Sequence, residues 1–106
     1  MNAAVNLSLY TSSSLYGKQV VNVSVNSGSS VLACDTFGYV HVWGANTNGS
    51  LDVLSGASFI YTPLMISNNS GSSLTGRLVT SVYEGANQLA IDASGYVHSW
   101  GTKGLI

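Results

Sequence analysis

The chain has 106 residues, of which 45% are apolar, only 7% are charged, and the formal net charge is −1. That is the length of one ordinary domain with enough apolar material for a core, but its charge is far below the roughly 25% usual in soluble proteins. Three basic residues (Lys18, Arg77 and Lys103) exclude nucleic acid, whose binding rests on many phosphate contacts, while low charge leaves little repulsion against close association.

In chain order, Met1–Tyr10 lacks the basic start and apolar stretch of a secretory signal, and residues 3–9 read as a first strand. Residues 19–25 form a strand with Val21, Val23 and Val25 on one face, followed by a short apolar strand from Ser30 to Cys34. Cys34 is the only cysteine, so no intrachain disulfide is possible, and its apolar setting predicts a small buried hydrophobe. After a turn at Gly38, residues 39–43 alternate: Tyr39, His41 and Trp43 share one face, Val40 and Val42 the other.

Residues 46–58 read as a loop, 60–67 as a strand with Pro63 at its edge or start, and 68–73 as a second loop. Three more strands follow at 78–83, 89–91 and 96–100. Helical periodicity is absent, and no apolar run approaches the ~20 residues of a membrane span, so a soluble chain without membrane insertion is expected. Several short strands separated by Gly, Asn and Ser turns predict an all-β fold.

The strands are duplicated. Asp35-Thr36-Phe37-Gly38-Tyr39-Val40-His41-Val42-Trp43-Gly44 returns as Asp92-Ala93-Ser94-Gly95-Tyr96-Val97-His98-Ser99-Trp100-Gly101, with seven identities at an offset of 57 (92 − 35). Upstream, Leu15-Tyr16-Gly17-Lys18 matches Leu74-Thr75-Gly76-Arg77, and Val5-Asn6-Leu7-Ser8 matches Leu64-Met65-Ile66-Ser67, both at an offset of 59 (74 − 15; 64 − 5). The two-residue difference is expected in the turn 26–30. Residues 1–106 thus read as a single two-repeat unit: repeat 1 at about 5–57, a linking strand at about 59–67, and repeat 2 at about 64–106. Repeats of this length mark architectures in which one unit cannot bury its own apolar faces.

Gly17, Lys18, Val20, Val23, then Leu32-Ala33, then Gly38, Val40, Trp43, Gly44, Asn46, Gly49, Leu51 and Pro63 form a pattern that resembles the repeat of the regulator of chromosome condensation family. Gly76, Arg77, Val79, Val82, Leu89, Ala90, Gly95, Val97, Trp100 and Gly101 repeat it. The resemblance implies two four-stranded blades of a β-propeller, a fold usually of about seven blades in that family, here completed to a closed propeller by homo-oligomerisation. It also implies a protein-binding platform. The sequence departs from the family pattern at Ser30 and Asn87, where a histidine is usual, at His41 and His98, where an aromatic residue is usual, and at Asp52, where a glycine is usual. These departures leave the fold in place but do not carry over any one member's activity.

Candidate residues follow from the repeat. Trp43, Trp100, His41, His98, Tyr39 and Tyr96 are expected to pack blade on blade, since each pair occupies equivalent positions. Asp35 and Asp92, at strand-to-turn junctions, are expected to accept backbone N–H bonds. Strand 3–9 matches the linking strand, so a head-to-tail contact is expected in which Val5, Leu7 and Leu9 of one chain complete the last blade of another beside Val97 and Trp100. Three chains (six blades) or four (eight) fall within the roughly 4–8 blades of propellers.

Asn46, Asn48, Asp52, Phe59 and Tyr61 are candidates for a partner-binding loop. No paired acid and base, nucleophile elbow or phosphate loop is present, so no catalysis and no cofactor are expected. In a closed ring of several chains His41 and His98 would line up around it, but their repeat equivalence points to a structural role, and no metal is expected. The expected function is a non-enzymatic interaction or structural module whose partners are itself and an unidentified protein or particle surface. Alternatives are a decoration subunit of a virion or other surface assembly, and a lectin-like propeller that binds glycan.

Overall fold

A computed structural model describes residues 6–25, 29–46, 58–67, 72–85 and 87–101. These form an all-β molecule of two antiparallel sheets, with no α-helix among the described residues. The first sheet holds β1 (Val20–Val25), β2 (Ser30–Asp35), β3 (Val40–Ala45) and β4 (Phe59–Met65) in that order. The second holds β5 (Val79–Glu84), β6 (Gln88–Asp92) and β7 (Val97–Trp100), again in chain order. Each is a blade-like meander in which successive strands pair with their sequence neighbours.

The turns from β2 to β3 and from β6 to β7 are built by the repeated Asp and Gly. Asp35 Oδ1 accepts the backbone N–H groups of Phe37 (2.8 Å) and Tyr39 (3.1 Å), and Asp92 Oδ1 does the same for Ser94 (2.9 Å) and Tyr96 (3.0 Å). Gly38 (φ +86°) and Gly95 (φ +87°) supply the left-handed residue each turn needs. Pro63 lies within the edge strand β4, opposite the register shift between Val42 and Gly44, where its missing N–H interrupts no second ladder.

The register fixes the repeat strand by strand. Val23 pairs with Ala33 as Val82 pairs with Ala90, and both sheets shift register at the same point, between Val20 and Asn22 and between Val79 and Ser81. Val25 pairs with Val31 and Glu84 with Gln88, so the two-residue difference (31 − 25 = 6 against 88 − 84 = 4) falls inside this one turn.

One expectation is corrected. Leu7–Leu9 form a short 3-10 helix, capped by the Asn6 side chain accepting the Ser8 N–H at 2.9 Å, rather than the end of a strand. The repeat explains it: Leu7 corresponds to Ile66 (66 − 7 = 59), which already lies beyond the end of β4 at Met65. Val5 lies outside the described residues.

The sheets pack face to face, with β1 and β2 against β5. Leu32, Cys34, Val40 and Val42 of the first sheet join Leu74, Val79, Val82 and Ala90 of the second unit in one buried cluster, with Ile60 and Ile66 closing one side. This apolar contact is the main hydrophobic stabilisation of the pair.

Candidate functional site

Alternation gives each sheet two faces. On the first sheet, cross-strand partners place Asn22, Cys34 and Val40 in one row and Ser24, Leu32 and Val42 in the next. This face meets the second sheet. Asn22 Oδ1 accepts the Val82 N–H (2.8 Å), Ser24 Oγ accepts the Glu84 N–H (2.9 Å), and the Gly38 carbonyl accepts the Val79 N–H (2.9 Å). Three side-by-side polar links thus fix the register of an otherwise apolar contact.

The opposite face of the first sheet is only partly covered: Ala33 and His41 are buried there beside the turn 13–18, whereas Val20, Val23 and Val25 are exposed. Leu7, Leu15, Val20, Val23, Ala33 and Trp43 line a groove of about 590 Å³. By the offsets of 59 and 57, these six correspond to Ile66, Leu74, Val79, Val82, Ala90 and Trp100. The first five counterparts are buried in the cluster between the sheets, and Trp100 packs against it. Val23 is 54% exposed and Val82 1%. The groove is therefore the same half-interface, without the sheet that fills it in the second repeat.

The far face of the second sheet is the complementary half. Leu89, Ile91 and Val97 correspond to Leu32, Cys34 and Val40 (offset 57). Val40 is fully buried, whereas Val97 is 63% exposed. Tyr83, in the place of Ser24, is also exposed. The molecule displays at its two ends the two sides of the contact it makes internally.

In each sheet a histidine ties a strand to the turn that precedes the sheet. His41 Nε2 lies 2.7 Å from Asp35 Oδ2, and His41 Nδ1 lies 2.7 Å from Ser14 Oγ. His98 repeats this with Asp92 (2.9 Å) and Ser73 (2.7 Å). The carboxylate holds the proton on Nε2, leaving Nδ1 to accept the serine O–H. Burial pushes the His41 pKa below the ordinary imidazole range, an effect only partly offset by the bond to Asp35. The bond from His98, then the Tyr96 and Ser94 N–H groups and nearby Arg77, hold the Asp92 carboxyl below its ordinary value.

Ser, His and Asp are the residue types of acyl-transfer triads, but the ring is reversed: there Nε2 faces the serine and Nδ1 the carboxylate. The relays here occur once per sheet around buried rings. Their evident effect is to fasten the turns 13–18 and 72–77 onto β3 and β7.

The other sequence-predicted residues are distributed as follows. Trp43 and Trp100 are partly buried against the core. Tyr39 and Tyr96 do not pack between the sheets; they stand at the turns before β3 and β7, Tyr39 near the Lys18 ammonium (5.7 Å) and Tyr96, largely exposed, beneath Arg77 (5.4 Å). The alternation placed them on the histidine face, but the strands begin one residue later. Leu9 is exposed. Asn46 is buried behind β3, and Phe59 and Tyr61 form an exposed ring pair on β4 with centroids 4.9 Å apart. Asn48 and Asp52 lie outside the described residues. No group of three or more His, Cys, Asp or Glu placed to hold a metal occurs among the described residues. Among the described residues, no helix is long and apolar enough to cross a membrane.

Sequence reasoning missed Ser14, Ser73, Asn22 and Ser24. The serines had a signal: Ser13-Ser14-Leu15 returns as Ser72-Ser73-Leu74. Asn22 and Ser24 had none, because Ser81 and Tyr83 stand in their places.

No family model matches the chain, and no curated protein matches it. Among solved structures, it is similar to a crystal structure of human WBSCR16, with a TM-score of 0.70 and 22% identity over 84% of this chain. The chain spans 21% of that protein's length. This likeness is one of fold.

Proposed function

We propose that the chain is a non-enzymatic assembly and interaction module, a pair of blades of regulator-of-chromosome-condensation type that further copies complete to a closed β-propeller. The observation that carries this is the pairing of an open groove at one end with an exposed apolar face at the other, each equivalent to one side of the buried contact between the sheets. The fold match to about a fifth of a much longer chain supports it, since a similar two-sheet unit there belongs to something larger. The assembled ring presents its turns and exposed aromatic residues to a protein or particle surface.

Native mass spectrometry with light scattering tests this. Particles of about three or four chains are expected. A mass of one chain across the micromolar to millimolar range would end the reading.

A second reading, glycan binding, is favoured by the exposed Phe59–Tyr61 pair, whose tilted rings offer a stacking surface. Binding on a glycan array that Tyr61→Ala abolishes is the expected result; an array without signal removes this reading.

A further inference from the structure

The groove of the first blade has a specific occupant. We propose that it receives the Leu89–Ile91–Val97 face of a second copy of this chain, docked head to tail in the register the two sheets use internally. This rests on reading the outer faces as assembly surfaces and names what covers them.

The argument is positional. Inside the chain, the residues lining one half-interface (Leu74, Val79, Val82 and Ala90) bury Leu32, Cys34, Val40 and Val42. Their equivalents Leu15, Val20, Val23 and Ala33 line the open groove. Applying the same offset to the filling residues gives Leu89, Ile91, Val97 and Ser99, the exposed or half-buried far face of the second sheet. Ile91 is larger than its counterpart Cys34 and adds apolar contact; Ser99 for Val42 removes some.

The polar links carry over in part. Val79 N–H donates to the Gly38 carbonyl internally, so Val20 N–H of one copy meets the Gly95 carbonyl of the next. Val82 N–H donates to Asn22, so Val23 N–H meets Ser81, whose hydroxyl is also an acceptor. At the third link Tyr83 replaces Ser24, so the phenol must turn aside or reach past the edge of β1. The contact between copies is thus a looser version of the inner one, and association is expected to be reversible and concentration-dependent. Because two different faces meet, the contact is heterologous and each copy keeps one free end until a ring closes.

Val23→Glu blocks the groove and Val97→Glu blocks the face; both side chains are exposed in the single chain, so its fold is retained. Slow thiol labelling of Cys34 checks this, and Val23→Ser with Val97→Ser replace any glutamate variant that labels fast. Sedimentation velocity then reads the masses. Each variant alone is expected to be monomeric, with association weakened roughly 100-fold or more, since a charge would be buried unpaired. An equimolar mixture is expected to give a 1:1 dimer and nothing larger, through the intact face of one variant and the intact groove of the other.

Either variant dimerising alone, or a mixture that stays monomeric while the unaltered chain assembles, overturns head-to-tail docking and leaves the assembly reading standing. A monomeric unaltered chain overturns both.

Discussion

The Gly38 carbonyl accepts the Val79 N–H at 2.9 Å, and the bare Gly38 Cα sits so close to the second sheet that a Cβ there would lie 2.7 Å from Leu78 Cα. Gly95 has the same left-handed backbone (φ +87° against +86°) and nothing within 4 Å of its Cβ position. The pair separates two costs. In a Val97→Glu background that keeps copies apart, Gly95→Ala is expected to cost about 1–2 kcal/mol from backbone conformation alone. Gly38→Ala is expected to cost clearly more, because main chain must move. Urea unfolding measures both; equal losses would mean the close approach contributes nothing.

Val23 and Val82 give a second internal control. Val82→Ala removes buried methyls between the sheets and is expected to cost about 2 kcal/mol or more. Val23→Ala, at the same repeat position but exposed, is expected to change the stability of the isolated chain by less than about 0.5 kcal/mol. The order of the two denaturation midpoints decides the matter.

Acid stability follows from the relays. The folded-state pKa of His41 is lowered, so the unfolded chain binds the proton more readily and stability falls as pH drops below the ordinary imidazole value of 6.5. The lowered Asp92 pKa contributes stability above its ordinary value of 3.8, lost as pH falls through the folded-state pKa. Urea midpoints between pH 8 and pH 3 are expected to show both limbs. The upper limb should be missing in His41→Asn, and its persistence there would assign it elsewhere.

Cys34 reports on separation of the sheets. It is fully buried on the face that meets the second sheet, and burial, then the Asp35 charge, raise its thiol pKa. Ellman's reagent is expected to react only through opening, and Val82→Ala to speed that reaction. Immediate labelling of the folded chain would mean the sheets part freely.

The repeat made the equivalent strands and the two-residue turn difference legible, since an aligned duplicate marks matching elements and the place where one copy is longer. Burial was not. Val21, Val23 and Val25 read from sequence as one face, yet the register shift between Val20 and Asn22 breaks the row: Val20 joins Val23 along the groove, while Val21 lies beside Leu78 and Val79, and all three valines of the expected row are exposed in the single chain. Periodicity identifies a face but says nothing of what covers it. Asn22 and Ser24 escaped notice because they bond another sheet's backbone, a partner that leaves no side-chain pattern in the sequence.

The turn between β1 and β2 has absorbed two residues more than the turn between β5 and β6 without moving a single pairing on either side. Its length is thus uncoupled from the groove, whose strands keep their register on either side of it. If copies assemble as proposed, a foreign peptide spliced there should ride on the assembly without altering its count, giving each particle as many displayed copies as it has chains.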